Sequence, residues 1–468
     1  MKRFMLVLTA LLALLLAACG SDAAPDEPFV WQWERTTDNP SPFYGETLTI
    51  ATTHLSFPGN YRWFAMQYMQ RNPGVTIEII DMGDDLERAR EQMGVRLMAG
   101  DAPMMICGRL SDAFLPMSQT MFIDWNILLD AHPEFDENDW FMNVFRANEI
   151  NGQLFSFPLS YAYAYVVANT TVPGLIDAVY GRESIHIGDI IDLYAQYLSI
   201  TDSERPLYIG NFRNILTTNL WALLMLDTNF FDFEAGEVNF NDPLFADTIA
   251  RINGFVNPRG YGALLGNWGD RTHEAAMAQS AFFRVITTDH YEYFSIFENG
   301  TLFANPMRLT NSEGELIVQS FHSFMLSAGA TPAEQALALD FVMFLGGHGS
   351  ANIESNQHRI FAGEQSTHRE LMRVESSQQL PNTIASFYSS WNRALDFSGI
   401  IIKTIDRAEA LVDVPMTTHR FAPRHIETMV TNEVYEQFHD GLITAEAAAN
   451  YLQNRITLML MEMGVMNR

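Results

Sequence analysis

Polar and apolar positions alternate in blocks along this chain, and the blocks predict its elements. The first is an apolar run from Phe4 to Ala18 behind Lys2 and Arg3. At about 15 residues it falls short of the roughly 20 that a spanning helix needs, so it reads as the core of a secretory signal. Residues 20–46 turn polar and rich in Pro, Ser and acids, a tether composition, with Trp31, Trp33, Phe43 and Tyr44 as aromatic points able to dock on the body. The pattern then becomes regular. Residues 48–52 are a β-rich run. Helical spacing follows through Trp63, Phe64, Met66 and Met69, and Asn72-Pro73-Gly74 stops it. Residues 75–80 form a second strand, Asp84-Asp85 cap a helix over 86–98 that Gly100 ends, and residues 103–107 form a third strand. The order β-α-β-α-β favours a parallel sheet covered by helices.

The mixed pattern continues. Residues 153–158 and 162–168 read as strands separated by Pro158, and residues 187–198 and 214–226 as helices. Asn241-Asp242-Pro243 and Thr331-Pro332-Ala333-Glu334 are helix starts, each with a polar cap and an early proline. The second adds a glutamate at the capping-box position and runs to Gly346-Gly347. A last helix covers 444–463. There is no internal repeat and no low-complexity tract. A chain of 468 residues that is 48% hydrophobic exceeds what one core sustains, so two lobes are expected.

Charge and cysteine use narrow the function. The net charge is −28, from 28 basic and 56 acidic residues, and loss of Lys2 and Arg3 with the signal makes it −30. That surface repels nucleic acid and anionic headgroups and keeps the chain soluble. The two cysteines are Cys19 and Cys107. Cys107 lies in the apolar stretch 104–107 and reads as a small buried hydrophobe.

Leu16-Ala17-Ala18-Cys19-Gly20 resembles the lipobox of bacterial lipoproteins. The resemblance implies cleavage before Cys19, acylation of Cys19, and an extracytoplasmic protein lipid-anchored to the cell membrane. Six further stretches, in order over about 47–463, resemble the sugar-binding group of extracellular solute-binding proteins of ABC importers. They are 48–53, 64–79, Leu97-Met98-Ala99-Gly100-Asp101-Ala102-Pro103, Asn151-Gly152-Gln153-Leu154-Phe155-Ser156-Phe157-Pro158, Asn239-Phe240-Asn241-Asp242-Pro243, and Gly441-Leu442-Ile443-Thr444-Ala445-Glu446-Ala447-Ala448. Met104 stands where the family has Asp, and 355–359 lack the family's Gly-x-Pro. The resemblance implies an α/β fold of the periplasmic-binding-protein type II kind, with two lobes, hinge strands and a ligand cleft. Lobe 1 is expected over 47–158 plus 304–358, and lobe 2 over 159–303 plus 359–468, with Pro158 and Asn305-Pro306 as hinge markers.

A sugar cleft needs aromatic faces for C–H surfaces and charged or amide groups for vicinal hydroxyls. Candidates at strand ends and loops are His54 after the first strand, Arg109 and Asp112 after the third, Tyr161 and Tyr163 on one strand face, Trp268 between glycines, His322, and Trp391 in the second lobe. Each has a structural alternative: core packing for the aromatics and histidines, a helix cap for Asp112. No H-E-x-x-H, G-x-S-x-G, P-loop or Rossmann glycine motif is present. No catalytic residue, metal ligand or cofactor is therefore assigned. The expected role is capture of a solute, a sugar or oligosaccharide, by hinge closure, with delivery by a monomer to ABC permease subunits. A surface carbohydrate-active enzyme and a ligand-sensing lipoprotein on the same fold are the alternatives.

Overall fold

The structure, a computed structural model, describes residues 29–36, 41–53, 58–108, 110–111, 114, 118–201, 208–210, 229–232, 236–253, 281–287, 303–347, 365–369, 372, 409–418, 434 and 436–462. The elements used below are β1 (Thr47–Thr52), α1 (Pro58–Arg71), β2 (Thr76–Asp81), α2 (Leu86–Ala99), β3 (Met105–Cys107), α3 (Trp125–Ala131), α4 (Met142–Arg146), β4 (Phe157–Asn169), β5 (Ser184–His186), α5 (Ile187–Ile200), β6 (Tyr208–Gly210), α6 (Pro243–Asn253), β7 (Ala281–Thr287), β8 (Phe303–Thr310), β9 (Leu316–Leu326), α7 (Pro332–Gly346), β10 (Gln365–Ser366), β11 (Met416–Thr418) and α8 (Ala445–Glu462).

The opening β-α-β-α-β unit forms as its pattern predicts. β1 pairs in parallel with β2 and with β3. The Asp85 side chain caps α2 by accepting from the Arg88 N–H, and Gly100, at φ 73°, ends it in the left-handed conformation that costs glycine least. α7 carries the full capping box: the Thr331 hydroxyl accepts from the Glu334 N–H, and the Glu334 carboxylate accepts from the Thr331 N–H. Thr331→Ala is expected to cost about 1 kcal/mol of stability, read by denaturant unfolding.

Among the described residues eleven strands make one sheet in the order β2-β1-β3-β9-β8-β4-β7-β6, with β10 on β4, β11 on β9, β5 on β8, and a further β9–β4 pairing. β4 and β9 carry the sheet from one end to the other. The first half of β4 pairs with β9 and the second half with β8 and β7. β9 ends between β4 and β3. Of the two strands expected at 153–158 and 162–168, residues 157–158 and 162–168 belong to a single thirteen-residue strand, and residues 153–156 precede it. Pro158 does not break it, because it is the strand's second residue, where a missing N–H is tolerated. Pro306 sits inside β8, where the register with β4 shifts between Ala304 and Met307. The helix expected over 214–226 lies outside the described residues.

Three apolar clusters fill the spaces between the layers. α1, α3 and α7 cover one face of the first end through Tyr61, Phe64, Tyr68, Trp125, Leu128, Phe341 and Leu345 against Leu48, Ile50, Met105, Cys107, Phe157, Phe324 and Leu326. α2 covers the opposite face, where Ala89 and Met93 join Ala51, Ile106 and Met325 in a cluster that continues through α5, α6 and α8. A third cluster lies behind the middle of β4 and β9: Phe141, Val144, Tyr161, Tyr163, Tyr165, Leu316, Val318, Met372, Leu411 and Met416. Among the described residues no helix is long and apolar enough to cross a membrane.

Candidate functional site

The chain leaves β1 for β2 through α1 and returns to β3 through α2, on opposite faces of the sheet. Strand order reverses about β1, and in an α/β sheet the usual ligand position is beyond the carboxyl ends of the strands at such a point, here β1 and β3. Thr53 closes β1 there, and Gly108, at φ 65°, follows β3. Of the candidates read from the sequence, His54, Arg109 and Asp112 follow these same two strands, but they lie outside the described residues, as do Trp268 and Trp391.

The strands that reach this edge differ between their faces. On β4 and β9, Phe157, Leu159, Phe324 and Leu326 point toward α1 and α7. Alternation sends Ser160 and Ser323 to the α2 side, where Met325 already lies. Ser323 pairs with Pro158, which places Ser160 at a diagonal position, and Ser156 lies two residues before Pro158, just ahead of β4. Thr53 shares the face of Ala51. The hydroxyls of Thr53, Ser156, Ser160 and Ser323 are all buried, and none has a hydrogen-bond partner among the described residues. A buried hydroxyl left unpaired costs about 1–3 kcal/mol. Four gathered at one sheet edge are a donor and acceptor surface suited to a polar guest.

Arg90 stands on the same side. It lies in the second turn of α2, whose N-terminus is at the carboxyl edge of the sheet, and its side chain is only 9% exposed. Its Nη1 donates to the Glu87 carboxylate at 2.8 Å, while its Nε–H has no partner among the described residues.

His322 and the tyrosines occupy the other face. His322 Nδ1 and Tyr61 Oη hydrogen-bond at 2.7 Å, tying the first turn of α1 to β9. Burial holds the His322 pKa at about 4, so the ring is neutral at physiological pH. Its φ of 49° makes it, with Asn151, one of two non-glycine residues at positive φ among the described residues. Tyr161, Tyr163 and Tyr165 form the predicted stripe. They face the third cluster, under α4 and β11, with Tyr163 and Tyr165 hydroxyls 2.9 Å apart. Burial, and then Tyr165 and Glu409, raise the Tyr161 pKa.

The sequence reading passed over Thr53, Ser156, Ser160, Ser323 and Arg90. The available signal was polarity inside an apolar pattern: serines two or four apart in strand segments, and an arginine beside the inward stripe Leu86, Ala89, Met93. No group of three or more metal-capable side chains gathers among the described residues.

No family model matches the chain, and no curated protein does. Solved structures do. The sugar-binding protein MalE from Xanthomonas citri aligns at a TM-score of 0.56 and 12% identity, covering 89% of this chain and 97% of that one. An extracellular solute-binding protein family 1 member from Alicyclobacillus acidocaldarius aligns at 0.53 and 12%, covering 88% and 98%. An ABC substrate-binding protein from Listeria monocytogenes, in complex with cycloalternan, aligns at 0.51 and 12%, covering 89% and 99%. At this identity the likeness is one of fold: the chain has the α/β architecture of periplasmic-binding-protein-like solute-binding proteins.

Proposed function

We propose that this chain is an extracytoplasmic solute-binding protein of an ABC importer that captures a sugar or oligosaccharide and delivers it to a membrane permease. The observation that carries the reading is the set of four buried hydroxyls, without partners among the described residues, at the carboxyl edge of the first end of the sheet. An uncharged polyol satisfies such groups as water would, and its hydroxyls both donate and accept. The structural neighbours support the same reading: one is a sugar-binding protein and one holds cycloalternan. His54, Arg109 and Asp112 follow in sequence the strands that end at this edge, and they are proposed as ligand contacts together with Trp268 and Trp391. Lobe 1 is taken as 47–158 plus 304–358 and lobe 2 as 159–303 plus 359–468. Ligand that touches both lobes only when they are shut favours the shut form by its differential affinity. Lipobox cleavage before Cys19 and its acylation hold the protein at the membrane.

The test is a thermal-shift screen of the purified protein against neutral mono- and oligosaccharides and a peptide library. At least one carbohydrate is expected to raise the melting temperature in proportion to the logarithm of its concentration. A rise with peptides alone overturns the sugar reading. Chromatographic loss of a bound sugar over time overturns pure binding.

A further inference from the structure

Residues 29–36 precede the first strand, and their exposure alternates: Phe29, Trp31 and Trp33 are half-buried, while Val30, Gln32 and Glu34 are exposed. The three aromatic rings pack on the first core. Trp33 stacks on Phe43 with centroids 6.3 Å apart, and Phe29 stacks on Trp33 at 6.1 Å. Trp31 meets the His132 ring edge-on at 4.3 Å and donates its indole N–H to the Trp33 carbonyl at 3.0 Å. Arg35 closes the segment. One arm of its guanidinium donates to the Asn72 side chain and the other to the Asp340 carboxylate, which also accepts from the Tyr68 hydroxyl. Tyr68 lies on α1 and Asn72 just beyond it, Asp340 is on α7, and His132 caps the end of α3. One short segment thus ties together the three helices that cover this face.

We infer that residues 29–36 are a clamp that makes the first end of the sheet the membrane-fixed part of the molecule, leaving the second end to swing against it. The inference rests on the proposed acylation of Cys19. Only residues 20–28 then separate the anchor from the clamp, and ten Cα steps span at most roughly 35 Å. Without the clamp, residues 20–40 would separate anchor from body, since Ser41 and Phe43 are buried in the body itself. Coil-like chains of 21 and nine residues average roughly 25 and 17 Å end to end. The clamp therefore presents one face of the protein at a short, narrow range of heights above the bilayer.

The test uses the full lipidated chain in vesicles, with a donor dye on Val95→Cys, an exposed position of α2, and acceptor dyes on the lipid headgroups. Cys107 is buried and stays unlabelled. Time-resolved energy transfer is compared between this protein and the same protein carrying Trp31→Ala and Arg35→Ala. The expected result is a longer mean distance in the variant, by about 8 Å, with a broader distribution. Should the pair not fold, Arg35→Ala alone, at a side chain 44% exposed, makes the comparison. Anchored protein with the same distribution in both forms overturns the clamp. Parent protein that stays in the soluble fraction, as Cys19→Ala should, overturns the anchor instead.

Discussion

Ser160→Ala and Ser323→Ala are expected to raise the melting temperature of the ligand-free protein while weakening its hold on the sugar. The two effects share one cause. Each hydroxyl is buried without a hydrogen-bond partner among the described residues, so the ligand-free fold bears the desolvation of that group without recompense, about 1–3 kcal/mol apiece. Alanine removes the oxygen and leaves almost no void. A rise of roughly 2 °C per substitution follows for a chain of this length. The bound state loses what the free state gains, together with the hydrogen bond to the guest, so affinity falls about tenfold or more for each site. Calorimetric titration and melting of the single and double variants read both quantities. A fall in melting temperature with unchanged affinity would assign the hydroxyls to the scaffold and remove them from the site.

Acid is expected to unfold the protein through His322, and His322→Asn to blunt that response. Burial lowers the ring's pKa from its ordinary 6.5 to about 4. Above pH 6.5 the ring is neutral folded and unfolded, and the full stability is present. Between pH 6.5 and 4 the unfolded chain takes up a proton that the folded chain refuses, so stability falls as the solution is acidified. Below about 4 both forms carry the proton and the loss levels off. Two and a half pH units correspond to about 3 kcal/mol. His132 is shifted in the same direction, chiefly by burial, and adds to the slope. Asparagine tolerates the positive φ at this position and does not titrate. Urea midpoints for parent and variant between pH 7 and 4 test this. An equally steep fall in His322→Asn would mean that other groups govern the acid limb.

The architecture was legible where local chemistry and periodicity agree. The turn at Asn72-Pro73-Gly74 was, and so were the cap at Asp85, the αL stop at Gly100 and the box at Thr331 and Glu334, because each is settled within a few residues. Pro158 misled because a proline speaks only of its own N–H, and whether a neighbouring strand wants that donor is decided by β9 and β10, both far away in sequence. The tyrosine stripe was legible as a stripe. Its direction was not: both faces of β4 are covered, and the cover over Tyr161 and Tyr163 comes from α4, β11 and the turn at Leu411. The hydroxyl face was hidden for a related reason. A serine in a strand is unremarkable alone, and only the pairing of Ser323 with Pro158 brings Ser160 beside Ser323.

The place of β9 in the sheet bears on how the chain is made. Cys107 on β3 finds its antiparallel neighbour in Phe324, more than two hundred residues downstream. Until the ribosome has delivered that stretch, the early βαβ unit carries an open strand edge, the feature most prone to pair with a stranger. Export of the polypeptide as an unfolded thread would avoid the hazard, since all the strands would then reach the far side of the membrane before any of them commits to a partner.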